Sequence, residues 1–254
     1  MRLGICCDAD QAKWAQRIGY EFVELSATRY LSGTREDFES LYEQLEAASI
    51  RVDAFNCFLP GDLKIAGPSR DLPVIEAYLN LVLPRAKALG AELIVFGSGG
   101  ARSYPEGFPQ DEAMEQIKEF LAMVGRYANF NDLLICLEPL QSKECNTINT
   151  LREASALIQD VGEPSLRLTL DLWHMHEEGE SYEVIGEVAN ALHHVHAADT
   201  NRLYPGSGSY DFRAMFRNLR ETGYAQRISC EFSVSDFNHD AACAYAFLTK
   251  MLQE

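Results

Sequence analysis

Positive charge is scarce in this chain. Its 254 residues hold 22 Lys and Arg against 38 Asp and Glu, for a net charge of −16. That balance argues against a non-specific polyanion binder, because phosphate backbones are held by Lys and Arg, and no nucleic-acid partner is expected. No apolar run is long enough to span a bilayer, so no membrane partner is expected either. The first residues, MRLGICCD, enter strand-like sequence at once and lack the long apolar stretch of a secretion signal. The seven cysteines are odd in number, contain no C-x-x-C and show no regular spacing. A disulfide framework is therefore not expected. Cys6, Cys136 and Cys230 lie in strand-like runs, which reads as reduced, buried thiols in a cytoplasmic protein. Low-complexity tracts, short repeats and composition breaks are missing, so residues 1–254 read as one domain.

What is present is an alternation of strand-like and helix-like segments. Strand-like runs occur at 3–7, 21–26, 51–58, 92–98, 133–138, 166–171, 193–198 and 227–232. Between them the apolar residues recur at helical spacing. Phe38, Leu41, Tyr42, Leu45 and Ala48 share one face of 35–49, and Met114, Ile117, Leu121, Val124 and Ala128 share one face of 111–128. In 211–222, Phe212, Met215, Phe216 and Leu219 do the same, with Asp211 placed to cap the first turn. Gly90 and Gly162 stand where helices should stop. Pro84 lies inside the pattern 71–89 and predicts a kink or break there. Eight strand–helix repeats with right-handed crossovers point to an α/β fold, a single (β/α)8 TIM barrel, with an open doubly wound sheet as the alternative. The length matches one barrel.

Four residues in the second half carry the chemistry. Glu138 ends LLICLE, Asp171 ends LRLTLD, His196 lies in HHVHAA and Glu231 in RISCEF. In a barrel all four reach the carboxyl ends of neighbouring strands, the face where barrel enzymes place their sites. Singly, each reads as well as a solvated loop carboxylate, a capping Asp or a chance His. Together they form three carboxylates and one imidazole converging on a point, which a divalent cation satisfies. Mn²⁺ suits this oxygen-rich set first, with Mg²⁺, Co²⁺ or Zn²⁺ as alternatives; a structural zinc would recruit thiolates. His194 shares a strand face with His196 but sits deeper, and reads as a satisfied buried histidine. Long Gly- and Pro-rich loops follow strands three, four and seven and should lie above the site. Within them, 97–100 with Arg102 and the turn 206–209 offer N–H groups to a phosphate, or are simply flexible loops.

From about Leu133 to Val234 the motifs E-P-L-x5-N-T, D-x-W-H-M, H-x-H-x-A-D-x-N-R, P-G-x-G and C-E-F resemble those of the xylose-isomerase-like barrels. Within that group they are most similar to ketose 3-epimerases of the D-tagatose/D-psicose type, and hydroxypyruvate isomerases share much of the pattern. The resemblance implies metal ligation by Glu138, Asp171, His196 and Glu231, and substrate contacts from Glu144, His174 and Arg202. The long run NCFLPGDLKIAGP after strand three and the pair Met175–His176 depart from that subtype and leave the substrate open. The expected activity is isomerisation or epimerisation of a small sugar, ketose or hydroxyketone, phosphorylated or not. In it a cation stabilises an enediolate, and Glu138 and Glu231 serve as acid and base on opposite faces. A metal-dependent dehydratase and a non-catalytic sugar-binding barrel are the alternatives. An apurinic endonuclease fits poorly, because Asn56, Cys57, Gly97 and Ser98 stand where it needs extra histidines. Monomer and homo-oligomer both remain open.

Overall fold

A computed structural model describes residues 1–254. Eight parallel strands close into a barrel in sequence order. They are β1 (Arg2–Cys6), β2 (Phe22–Ser26), β3 (Arg51–Asn56), β4 (Leu93–Phe96), β5 (Leu134–Leu137), β6 (Leu166–Asp171), β7 (Leu192–Ala197) and β8 (Arg227–Cys230). Pairing of β1 with β8, Ile5 opposite Cys230, closes the ring and excludes the open sheet. The strands are almost wholly buried, as parallel strands covered on both faces must be. Alternation sends Ile94, Phe96, Ile135 and Leu137 into the main core under the helices. Ala54, Leu93, Val95 and Cys136 pack as a separate inner cluster. Gly4 is needed at the β1–β2 contact, where a Cβ would stand 2.2 Å from the Phe22 ring.

Expected helices recur at Arg35–Ala48, Gln110–Phe130 and Phe212–Glu221. Asp211 does cap the last of these, accepting from the Ala214 amide at 3.0 Å. Gly162 ends the helix Leu151–Val161 in the left-handed conformation.

Four expectations need correction. The helix Leu72–Ala88 runs through Pro84 without a break. Pro84 and Asn80, the residue whose carbonyl loses a donor there, are both exposed, on the side of the helix open to solvent. Val82, Leu83 and Ala86 bury the opposite face and hold the helix together. Strands five and eight stop at Leu137 and Cys230, so Glu138 and Glu231 stand one residue beyond them. Cys6 is only half-buried, although Cys136 and Cys230 are buried and all seven cysteines are free. His194 is only half satisfied: its Nδ1 is buried without a partner.

The opposite, amino-terminal end of the barrel carries an ion network. Asp53 on β3 is fully buried and is held by Arg227 Nε at 3.0 Å, Arg51 Nε at 2.8 Å and Arg2. Arg227 is itself buried and also meets Glu92. No helix of the chain is long and apolar enough to cross a membrane.

Candidate metal centre and active site

Glu138, Asp171, His196 and Glu231 meet at the carboxyl ends of β5 to β8, and one donor atom from each lies within 4.8 Å of the others. His196 is the hub. Its Nδ1 stands 2.8 Å from Glu138 Oε1, 3.3 Å from Glu231 Oε2 and 3.9 Å from Asp171 Oδ2. Asp171 does two jobs. Its Oδ1 caps the short helix Leu172–Glu177 by accepting the amides of Trp173 and His174 at 2.7 and 2.9 Å. Its Oδ2 is buried and takes no hydrogen bond. The capping reading of this aspartate is therefore realised on Oδ1, and Oδ2 is left free to face the other three residues.

The electrostatics follow from the crowding. Burial, which outweighs the nearby His174, pushes Asp171 up to about 6, with Glu138 and Glu231 adding to it. Burial would also raise Glu231, but His196 and Arg202 hold it down at about 2. Burial would depress His196, yet Glu24, Glu231 and Glu138 around it keep it well above the usual histidine range. This is a pocket with more carboxylate than cation. An oxygen-rich donor set with one imidazole and one orphaned carboxylate oxygen fits a hard or borderline divalent ion.

The residues implied as substrate contacts line a cavity of about 290 Å³ beside these four. His174 Nδ1 accepts the Gln141 amide at 3.2 Å, which leaves its Nε2 as the free N–H. Glu144 Oε1 accepts from the Gln141 side chain at 2.9 Å. Arg202 donates from Nη2 to Glu231 Oε2 at 2.8 Å and stacks 4.6 Å over the Trp173 ring. Gly97 faces Glu138 closely: a Cβ there would stand 2.4 Å from Glu138 Oε2, so glycine leaves room for that carboxylate.

The model of the xylose isomerase-like TIM barrels matches residues 12–251. The chain belongs to that family. It is similar to L-ribulose 3-epimerase of Mesorhizobium japonicum, with 27% identity over 216 residues, 84% of this chain and 71% of that protein. It is likewise similar to D-psicose 3-epimerase of Agrobacterium fabrum, with 26% identity over 227 residues, 85% of this chain and 75% of that protein. Among solved structures, 3-keto-D-glucoside 4-epimerase from E. coli superposes with a TM-score of 0.84 at 20% identity, covering 100% of both chains, and shares the fold.

For a member of this family two loop readings change. Arg102 is fully buried rather than facing the cavity, with donors on Cys145 Sγ and the carbonyls of Phe96, Glu138 and Ile148. It braces the backbone of Glu138 and cannot reach a phosphate. In the turn 206–209, the Gly206 amide is taken by Asp199 Oδ2 and the Ser209 amide by Thr200 Oγ1. Sequence reasoning missed Glu24. It is fully buried on β2 and stands behind His196. A lone charge in FVELS, between Val23 and Leu25, was the available signal.

Proposed function

We propose that the chain is a divalent-metal-dependent epimerase or isomerase of a small, unphosphorylated ketose or hydroxyketone, working in the cytoplasm. The carrying observation is the disposition of two glutamates. Glu138 and Glu231 flank His196, each has one oxygen committed to a neighbour, and Glu138 Oε2 and Glu231 Oε1 take no hydrogen bond from the protein. The sugar epimerases among the relatives support the same reading.

A divalent cation held by Glu138, Asp171, His196 and Glu231 would supply Lewis-acid polarisation of the substrate carbonyl, which acidifies the adjacent C–H. Glu138 Oε2 takes or returns the proton on one face of that carbon, and Glu231 Oε1 does so on the other. His174 Nε2–H donates to a substrate oxygen, and Glu144 accepts from a hydroxyl. Arg202 keeps Glu231 ionised and oriented while presenting its remaining N–H groups to the substrate. The cavity favours a neutral substrate: its only cationic side chain, Arg202, is already paired with Glu231.

Two results are expected. Elemental analysis of protein prepared without chelators should give about one divalent ion per chain, as this single donor set implies. Stripping the ion should lower Tm by about 5–10 °C, the shift expected from losing about 2.7 kcal/mol of ligand stabilisation in a domain of this size. Protein with no affinity for Mn²⁺ would remove the basis of this reading. Second, Arg202→Ala should lower kcat/KM by about 10–100-fold, the worth of a lost charged hydrogen bond, while metal content stays unchanged. A fall in metal content would show instead that Arg202 serves the cation site through Glu231.

A further inference from the structure

We propose that Glu24 is the positioning residue that fixes the imidazole of His196 so that Nδ1 faces the acid cluster. The inference rests on the metal reading above and extends it one layer inward. Glu24 is fully buried in the barrel interior and makes three short contacts. His196 Nε2 stands 2.8 Å from Oε1, while His194 Nε2 at 2.8 Å and Ser229 Oγ at 2.7 Å both meet Oε2. An ionised carboxylate only accepts, so both imidazoles carry their proton at Nε2. His196 is thereby left with Nδ1 toward Glu138, Asp171 and Glu231.

Each partner has a place in this arrangement. A buried carboxylate needs several donors to remain ionised, and His194 and Ser229 provide two whose side chains make no hydrogen bond to the four-residue cluster. The unpartnered Nδ1 of His194 is consistent with a residue kept for its Nε2–H alone. Glu24 stands outside the four-residue cluster, because it meets His196 at Nε2 while the cluster gathers at Nδ1. That also accounts for the second grouping of Cys6, Glu24 and His196, whose donor atoms lie within 4.8 Å of one another. A carboxylate behind a ligating imidazole fixes its tautomer and raises its basicity, and losing it typically costs 10–100-fold in metal affinity.

The test compares parent, Glu24→Gln, Glu24→Asp and Ser229→Ala. Mn²⁺ affinity is read by electron paramagnetic resonance of the free ion, and the His196 tautomer by ¹⁵N NMR of the Mg²⁺-loaded parent. The parent should show His196 protonated at Nε2. Glu24→Gln and Glu24→Asp should raise the Mn²⁺ Kd by about 10–100-fold, with turnover recovering at saturating Mn²⁺, and Ser229→Ala should move the same way by less. A merely structural role would lower Tm and leave Kd unchanged. Equal affinity in parent, Glu24→Gln and Glu24→Asp overturns the inference while leaving the metal reading intact. So does an Nδ1–H tautomer in the parent, a result that needs no variant to fold. A parent that binds no Mn²⁺ overturns both.

Discussion

Glu138→Gln and Glu231→Gln are each expected to lose turnover by at least about 10²–10⁴-fold, the usual worth of a positioned proton-transfer group. The reason is local. Glu138 Oε2 and Glu231 Oε1 are the oxygens left unbonded beside the cavity, while Glu138 Oε1 meets His196 and Glu231 Oε2 meets Arg202. Glutamine preserves the volume and one oxygen for the committed contact. It cannot accept the substrate proton. If the two faces are served separately, each variant should still exchange the proton of one stereoisomer with solvent while failing to convert it to the other. Measurement of turnover and exchange on metal-loaded variants checks both points. Near-full epimerisation by Glu231→Gln, with metal bound, would rule out two bases and point to a hydride shift or to one base acting on both faces.

Asp53→Asn is expected to destabilise the barrel by about 3–5 kcal/mol, the cost of leaving a buried ion without its partner. Asp53 has no exposed surface, and Arg227, nearly as buried, would retain only Glu92. Urea unfolding of the variant against the parent measures the loss, and metal content should not change, since the network occupies the end of the barrel away from the site. The same network sets a pH dependence. Burial would raise the carboxyl of Asp53, but hydrogen bonds from Arg51 and Arg227 and the charge of Arg2 outweigh it and hold the group below its ordinary value of 3.8. A folded-state value below the unfolded one means the contribution is fully present above about pH 3.8 and is lost as the pH falls through the depressed value. Acid unfolding of Asp53→Asn should therefore be less steep than that of the parent in this window. Equal stability of parent and variant near neutral pH would contradict the assignment.

The barrel was legible because each strand is an apolar run bounded by helical periodicity, as in LLICLE before Glu138 and LRLTLD at Asp171. The four clustered residues were legible for a related reason: each closes or nearly closes such a run, and parallel strands in sequence order bring their ends together. Glu24 was not. Both faces of FVELS are buried, so alternation does not mark the inward residue, and its partners His194, His196 and Ser229 lie 170 to 205 positions away. Arg102 misled because a Gly-rich loop with an arginine resembles an anion cradle. Only the tertiary arrangement shows that its guanidinium turns inward to the Glu138 carbonyl at 2.8 Å. Pro84 misled because local propensity ignores the buried face, Val82, Leu83 and Ala86, that holds its helix together.

Deuterium uptake tests the central claim most directly. Metal-loaded protein is incubated in D₂O with a panel of free ketoses, ketose phosphates and hydroxypyruvate, and followed by NMR. Proton transfer through Glu138 and Glu231 predicts deuterium at a carbon beside the carbonyl, in an epimer or isomer of an unphosphorylated substrate, and its disappearance on chelation. Conversion without deuterium uptake, loss of water from the substrate, or sugar binding with no exchange at any carbon would contradict it.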